Sequence, residues 1–318
     1  MRAGVAGMFP LDLSLVDEGV AQRIRQAGFT GVSAVLRDPE ACTEEELVRV
    51  REVLAGAGVT VAHANPLYER LVDTDEEKRQ AGVRALRYSC RCTRWLGSSI
   101  THVRPGSLNP RGHWLPYPGN TSPETIDRLI RSLRETASAA EEEGVVLALE
   151  GGVPSPLDTM ERVRYVIEAV GSPAVRFNMD AVNFVGSLDD AFDTTSFLHR
   201  IFGLLGEYTV CGHIKDTRVD EMLTLHISEC APGDGIMDLP TYLRRFEAAC
   251  PDGFAHRAPA RQRDPARQAG RRCGPGPSRF DLEGVAWRRR IGWRSSPVGR
   301  GASVERRRWR WRRRASRS

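Results

Sequence analysis

From residue 4 to residue 250 the chain alternates short apolar runs with longer amphipathic ones, and this alternation limits the fold more than any other feature. Apolar runs that are candidate strands span 4–9, 31–36, 59–64, 100–104, 145–150, 175–179 and 209–214. VVLALE and YTVCGHI are apolar almost throughout, as expected for strands covered on both faces. Between them, 43–57 opens with Thr43 ahead of three glutamates, and 74–96 opens with Asp75-Glu76-Glu77, both helix N-terminal signatures. Further helices fit 123–143, 158–170, 195–205 and 239–249. Strand then helix, repeated seven times, builds a parallel sheet with helices outside it. The expected class is α/β, a (β/α)8 TIM barrel that these seven units leave one strand short.

The eighth unit should begin near Gly253-Phe254, where CPDGF has the turn-then-strand character that precedes earlier strands. There the composition breaks. AHRAPARQRDPARQAGRRCGPGPSRF carries almost no periodic apolar content and does not read as a strand and helix. Two segments are therefore expected: a barrel over 1–254, and an Arg-rich, disordered tail over 255–318 in place of the eighth unit. The tail holds 20 Arg, no Lys and four acids, a balance of +16, so a chain of net charge +5 has a body of net charge −11. An acidic body argues against general nucleic-acid binding; a genuine basic tail with Trp287, Trp293, Trp309 and Trp311 would argue for it. The preferred reading of 255–318 is a frameshift product. Arg, Ala, Pro and Gly have the codons richest in G and C, and one shifted reading of 256–272 gives a strand ending in Glu-His followed by a helix.

Seven scattered cysteines with no CxxC pair suit a reduced, cytoplasmic compartment. MRAGVAGMFPLDLSLVDEG has no sustained apolar run, so neither a signal peptide nor a membrane span is expected.

In a parallel barrel the chemistry sits at the C-terminal ends of the strands. Glu150 ends VVLALE, Asp180 follows VRFNM, and His213 lies near the end of TVCGHI. A strand-end acid can equally cap the next helix, but three such groups in successive units favour an open metal site. Two carboxylates and an imidazole suit Mn²⁺ first, with Mg²⁺, Co²⁺ or Zn²⁺ as alternatives. Substrate contacts are expected from Asn183, three residues past Asp180, from Lys215, from His63 and from His102 and Arg104, which share one strand face. Arg104 suits an anionic substrate group, with a structural ion pair as the alternative. Asp216 could orient His213 or cap a helix. PGDGIMD reads as a tight loop with a helix cap.

The segments LALEGG, FNMDAVNFVGSLDDAFDT, GHIKD and PGDGIMDLPTYLRRFE, with HVRPGS and HANPLYERLV as support, resemble the xylose isomerase-like sugar phosphate isomerase/epimerase family over residues 4–254. The resemblance implies a divalent metal held by Glu150, Asp180, His213 and a second Glu from the eighth strand. It also implies proton transfer beside a carbonyl of a small sugar, sugar phosphate or related compound, with Glu150 as ligand and base. The sequence has AHRAP where that second Glu belongs, with Arg257 at the codon whose shifted reading can encode Glu. Weak metal binding and little turnover follow for the chain as written. The expected partner is a carbohydrate-like small molecule, bound by a monomer or homo-oligomer, without a membrane.

Alternatives are a dehydratase of a cyclic polyol ketone, which shares the first step, and a catalytically defective barrel. An abasic-site endonuclease fits less well, because such enzymes need a His three residues after the Asp and Asn183 stands there.

Overall fold

The computed structural model describes residues 1–257. Eight parallel strands close into a barrel: β1 (Arg2–Val5), β2 (Gly31–Leu36), β3 (Thr60–Pro66), β4 (Ile100–Val103), β5 (Val146–Leu149), β6 (Val175–Met179), β7 (Thr209–Ile214) and β10 (Phe254–Arg257). Neighbours in sequence are neighbours around the barrel, and β10 closes it between β7 and β1. Between β7 and β10 the chain also makes an antiparallel hairpin of β8 (Asp216–Val219) and β9 (Ile227–Cys230), outside the barrel sheet.

The helices are α1 (Glu18–Gln26), α2 (Glu44–Gly56), α3 (Glu76–Trp95), α4 (Pro123–Glu143), α5 (Met160–Val170), α6 (Leu188–Phe192), α7 (Thr194–Leu205) and α8 (Leu239–Ala249). Their starts follow from the sequence. Asp17, Thr43, Asp75, Ser122, Thr159, Ser187, Asp193 and Asp238 each accept a hydrogen bond from a first-turn N–H, satisfying donors that have no partner within the helix. Asp238, at the end of PGDGIMD, is the helix cap expected there.

The eighth strand is present where the Arg-rich segment was expected to replace it. Phe254–Arg257 pairs with β1 from Arg2↔Phe254 to Val5↔Arg257, and with β7 from Ala255↔Gly212 to Arg257↔Ile214. The backbone ladder does not need periodic apolar side chains, and Phe254, Ala255 and His256 are all buried. The strand half of the eighth unit is therefore present. The proposed disordered, frameshifted tail otherwise lies outside the described residues.

The first strand is also displaced from the expected 4–9. It pairs from Arg2, and Gly7, at φ 86°, turns the chain out of the sheet, while Phe9 still reaches the core.

The core lies mainly between barrel and helices, where Phe177, Phe197 and Phe246 are completely buried. Each such side chain contributes roughly 1.5–3 kcal/mol relative to exposure. Inside the barrel, Ile100, Ala148 and Cys211 form a small separate apolar cluster. Because side chains alternate along a strand, the residues two further on, His102, Glu150 and His213, lie on the same inner face, one layer nearer the C-terminal mouth. The apolar floor and the polar layer above it are thus one sequence pattern read twice.

Candidate metal centre

Glu150 directly follows β5, Asp180 directly follows β6, and His213 is the fifth residue of β7. One potential ligand atom from each lies within 4.8 Å of the others, and this is the one such convergence of three or more among the described residues. His213 Nδ1 is 3.1 Å from Asp180 Oδ2 and 3.4 Å from Glu150 Oε1.

The other expected residues gather around this trio. His102 Nε2 lies 2.6 Å from Glu150 Oε2, so His102 holds one carboxylate oxygen. Asn183 donates to the other, Oε1, at 2.9 Å, and accepts at 3.0 Å from Lys215 Nζ. Lys215 is paired with Asp180 at 2.9 Å and with Glu229 at 3.1 Å. His63 is buried beside the trio, its ring 5.6 Å from that of His102 and 5.9 Å from that of His213. Arg104 stands at the rim and donates to Asn65 Oδ1 and to the Pro66 carbonyl. Asp216 does not orient His213. It accepts the N–H groups of Thr217, Gly233, Gly235 and Met237 and so shapes the PGDGIMD loop.

Several contributors escape a sequence reading. Glu229 arrives through the β8–β9 hairpin, whose connection has no Gly-containing turn signature. His256 enters the barrel from β10, with its ring 4.3 Å from that of His63 and 6.0 Å from that of His213. Its signal, a two-residue step from buried Phe254, is hidden by the composition break. Asn178, two residues before Asp180, has its amide 3.3 Å from His213 Nδ1 and follows from the same period.

The electrostatics are those of a buried charged cluster. Burial pushes the Glu150 carboxyl up, but the nearby His213 and the hydrogen bond with His102 outweigh it and hold Glu150 well below the usual carboxylate range. At Asp180 burial prevails and the carboxyl is raised, despite Lys215. At His213 burial works against the charged form, yet Glu150 and Asp180 raise the imidazole to about 9. Burial lowers His102, His63 and His256, the last to about 3. One imidazole is therefore charged and three are neutral near pH 7.

The donor set fits a divalent cation. Asp180 Oδ1 is buried without a hydrogen-bond partner among the described residues, a costly state that a cation would relieve. Two carboxylates and an imidazole at an open strand end are the hard and borderline donors such ions take. The expected fourth donor is not where the codon argument placed it. Arg257 lies opposite Ile214, which is buried against the helices, whereas His256 lies opposite His213 on the inner face. Arg257 lies within electrostatic range of Asp234, in the PGDGIMD loop.

The family model for the xylose isomerase-like TIM barrel matches residues 21–256. The chain belongs to this family. No curated protein sequence matches the chain significantly. Among solved structures, D-psicose 3-epimerase in the presence of D-fructose superposes with a TM-score of 0.69 at 15% identity, covering 92% of this chain and 98% of that one. L-Ribulose 3-epimerase gives 0.66 at 18%, covering 92% and 93%. A xylose isomerase-like TIM barrel protein from Mycobacterium smegmatis in complex with magnesium gives 0.66 at 16%, covering 92% and 96%. At these identities the structural likeness is one of fold.

Proposed function

We propose that the chain is a divalent-metal-dependent isomerase or epimerase that moves a proton beside the carbonyl of a small sugar, sugar phosphate or related hydroxy-carbonyl compound. The observation that carries this reading is the convergence of Glu150, Asp180 and His213 at adjacent strand ends, with one buried carboxylate oxygen left unpartnered.

Glu150, Asp180 and His213 would hold the cation, with Mn²⁺ the first expectation. When bound, it supplies positive charge beside a carbonyl oxygen and lowers the cost of the negative charge that develops as a C–H proton leaves. Glu150 is the base. Its pKa lies well below neutrality, so it is ionised and ready to accept that proton. His102 and Asn183 hold its two oxygens and fix the carboxylate plane. Lys215 holds Asp180 in place through its ion pair and counters the effect of burial on it.

The opposite face is the weak side. An epimerase of this kind delivers a proton from a second group facing the first, and β10 offers neutral His256 where the resemblance expects a carboxylate. Proton removal should therefore outrun inversion. With Mn²⁺ and a ketose in D₂O, proton NMR should show deuterium entering the carbon beside the carbonyl faster than an epimer accumulates. Glu150→Gln should abolish the exchange. Absence of metal-dependent exchange with any ketose tried would count against the reading.

A further inference from the structure

Resting on the metal-site reading above, we infer that Arg104 forms an anion subsite and that the substrate carries a terminal phosphate or carboxylate. Arg104 directly follows β4 and shares the inner strand face with His102. Its guanidinium is part-buried, and its hydrogen-bond acceptors are neutral: the Asn65 side chain at 3.3 Å and the Pro66 carbonyl. Among the described residues no carboxylate forms an ion pair with it, and its buried Nε has no hydrogen-bond partner. A structural ion pair, the alternative open from sequence, is thus not what the fold provides.

The surroundings hold this cation in place without neutralising it. The Tyr68 hydroxyl anchors the backbone of Arg104, accepting from its main-chain N–H at 2.6 Å and donating to its carbonyl at 3.0 Å, and the guanidinium lies 5.2 Å from the Tyr68 ring centre. His113 packs edge-on against Tyr68, and its Nδ1 is also buried and unpartnered. Arg70 is nearby but already paired with Asp73. A fixed guanidinium with no carboxylate partner and free donor capacity, near a half-buried imidazole, is a receptor for an oxyanion. Arg104 lies two residues past His102 on the same strand face, and His102 holds Glu150, so the subsite borders the reacting end. Phosphate and carboxylate share the oxyanion chemistry, and the experiment separates them.

The test is ligand binding to the Mn²⁺-loaded full chain by calorimetry, with three probes: fructose, fructose 6-phosphate and the 6-carboxylate of the same ketose. At least one anionic probe should bind tenfold or more tightly than fructose, and the tighter of the two names the source. Arg104→Gln should lose that advantage with less than a twofold effect on fructose, and Arg104→Lys should recover part of it. Equal affinity for all three probes, or an equal loss for all three in Arg104→Gln, would overturn the subsite. Mn²⁺ titration of the same samples reports separately on the metal reading: absent Mn²⁺ binding counts against that reading, and a persisting anionic preference would still support Arg104.

Discussion

Glu150, Asp180 and His213 were legible one residue at a time because each closes an apolar run, and a strand two residues per repeat delivers such groups to the mouth. Their substrate-side neighbours were only partly legible. His102 and Asn183 were expected to meet substrate, whereas both hydrogen-bond Glu150 directly. Sequence gives the face of a strand, but not which of two facing side chains will pair. His256 was illegible for a different reason: its neighbours Arg257, Ala258 and Pro259 do not continue any pattern. The inner-face register makes it the position from which a third carboxylate could reach the trio. His256→Glu is therefore expected to tighten Mn²⁺ binding about tenfold or more in a calorimetric titration, while Arg257→Glu should change it little. The reverse ranking would show that the register of β10 does not set the fourth donor.

At the scale of elements, six of the eight capped helices and six of the eight barrel strands lie close to where apolar runs and N-terminal signals put them, α1 and α6 being the unexpected helices. The misses among the strands share a physical cause: pairing partners far away in sequence decide them. β1 starts at Arg2 because β10 pairs there, and the β8–β9 hairpin forms without a turn signature. The β1–β10 contact offers a direct test. A Cβ on Gly4 would stand 2.6 Å from His256 Cδ2, closer than real contacts allow. Gly4→Ala should cost about 1–3 kcal/mol in chemical denaturation. In the His256→Ala background most of that cost should vanish; an undiminished cost would place the two residues apart.

The α3–α4 pair gives a pH test. Fully buried Arg79 bonds Glu76 and Glu135 and donates to Ser132 Oγ at 2.7 Å. The Arg79 hydrogen bond, helped by Gln80, lowers Glu76 from the usual 4.5 to about 2. A carboxyl depressed in the folded state stabilises above its unfolded pKa, and that contribution is lost as pH falls through the folded value. Stability should thus fall between pH 4.5 and 2 in part through Glu76. Glu76→Gln should flatten the curve in that window, and an unchanged slope would contradict the assignment.

For the whole molecule, the repeated β-α alternation was enough to specify a parallel β/α barrel, and membership of the xylose isomerase-like family agrees with it. Among the described residues no helix is long and apolar enough to cross a membrane. What composition concealed was closure, because the eighth strand coincides with the onset of the Arg-rich segment. We propose that this segment reflects a shifted reading frame, which sequencing of the DNA across codons 250–260 with intact-mass confirmation checks; an undisturbed frame would remove the idea. The trio does not depend on it, since Glu150, Asp180 and His213 all precede the break. The most direct measurement is a calorimetric titration of the full chain with Mn²⁺, repeated on Asp180→Asn. The proposed site predicts one saturable, weak binding event that disappears in the variant. No binding, or binding that Asp180→Asn leaves intact, would contradict a metal held by Glu150, Asp180 and His213.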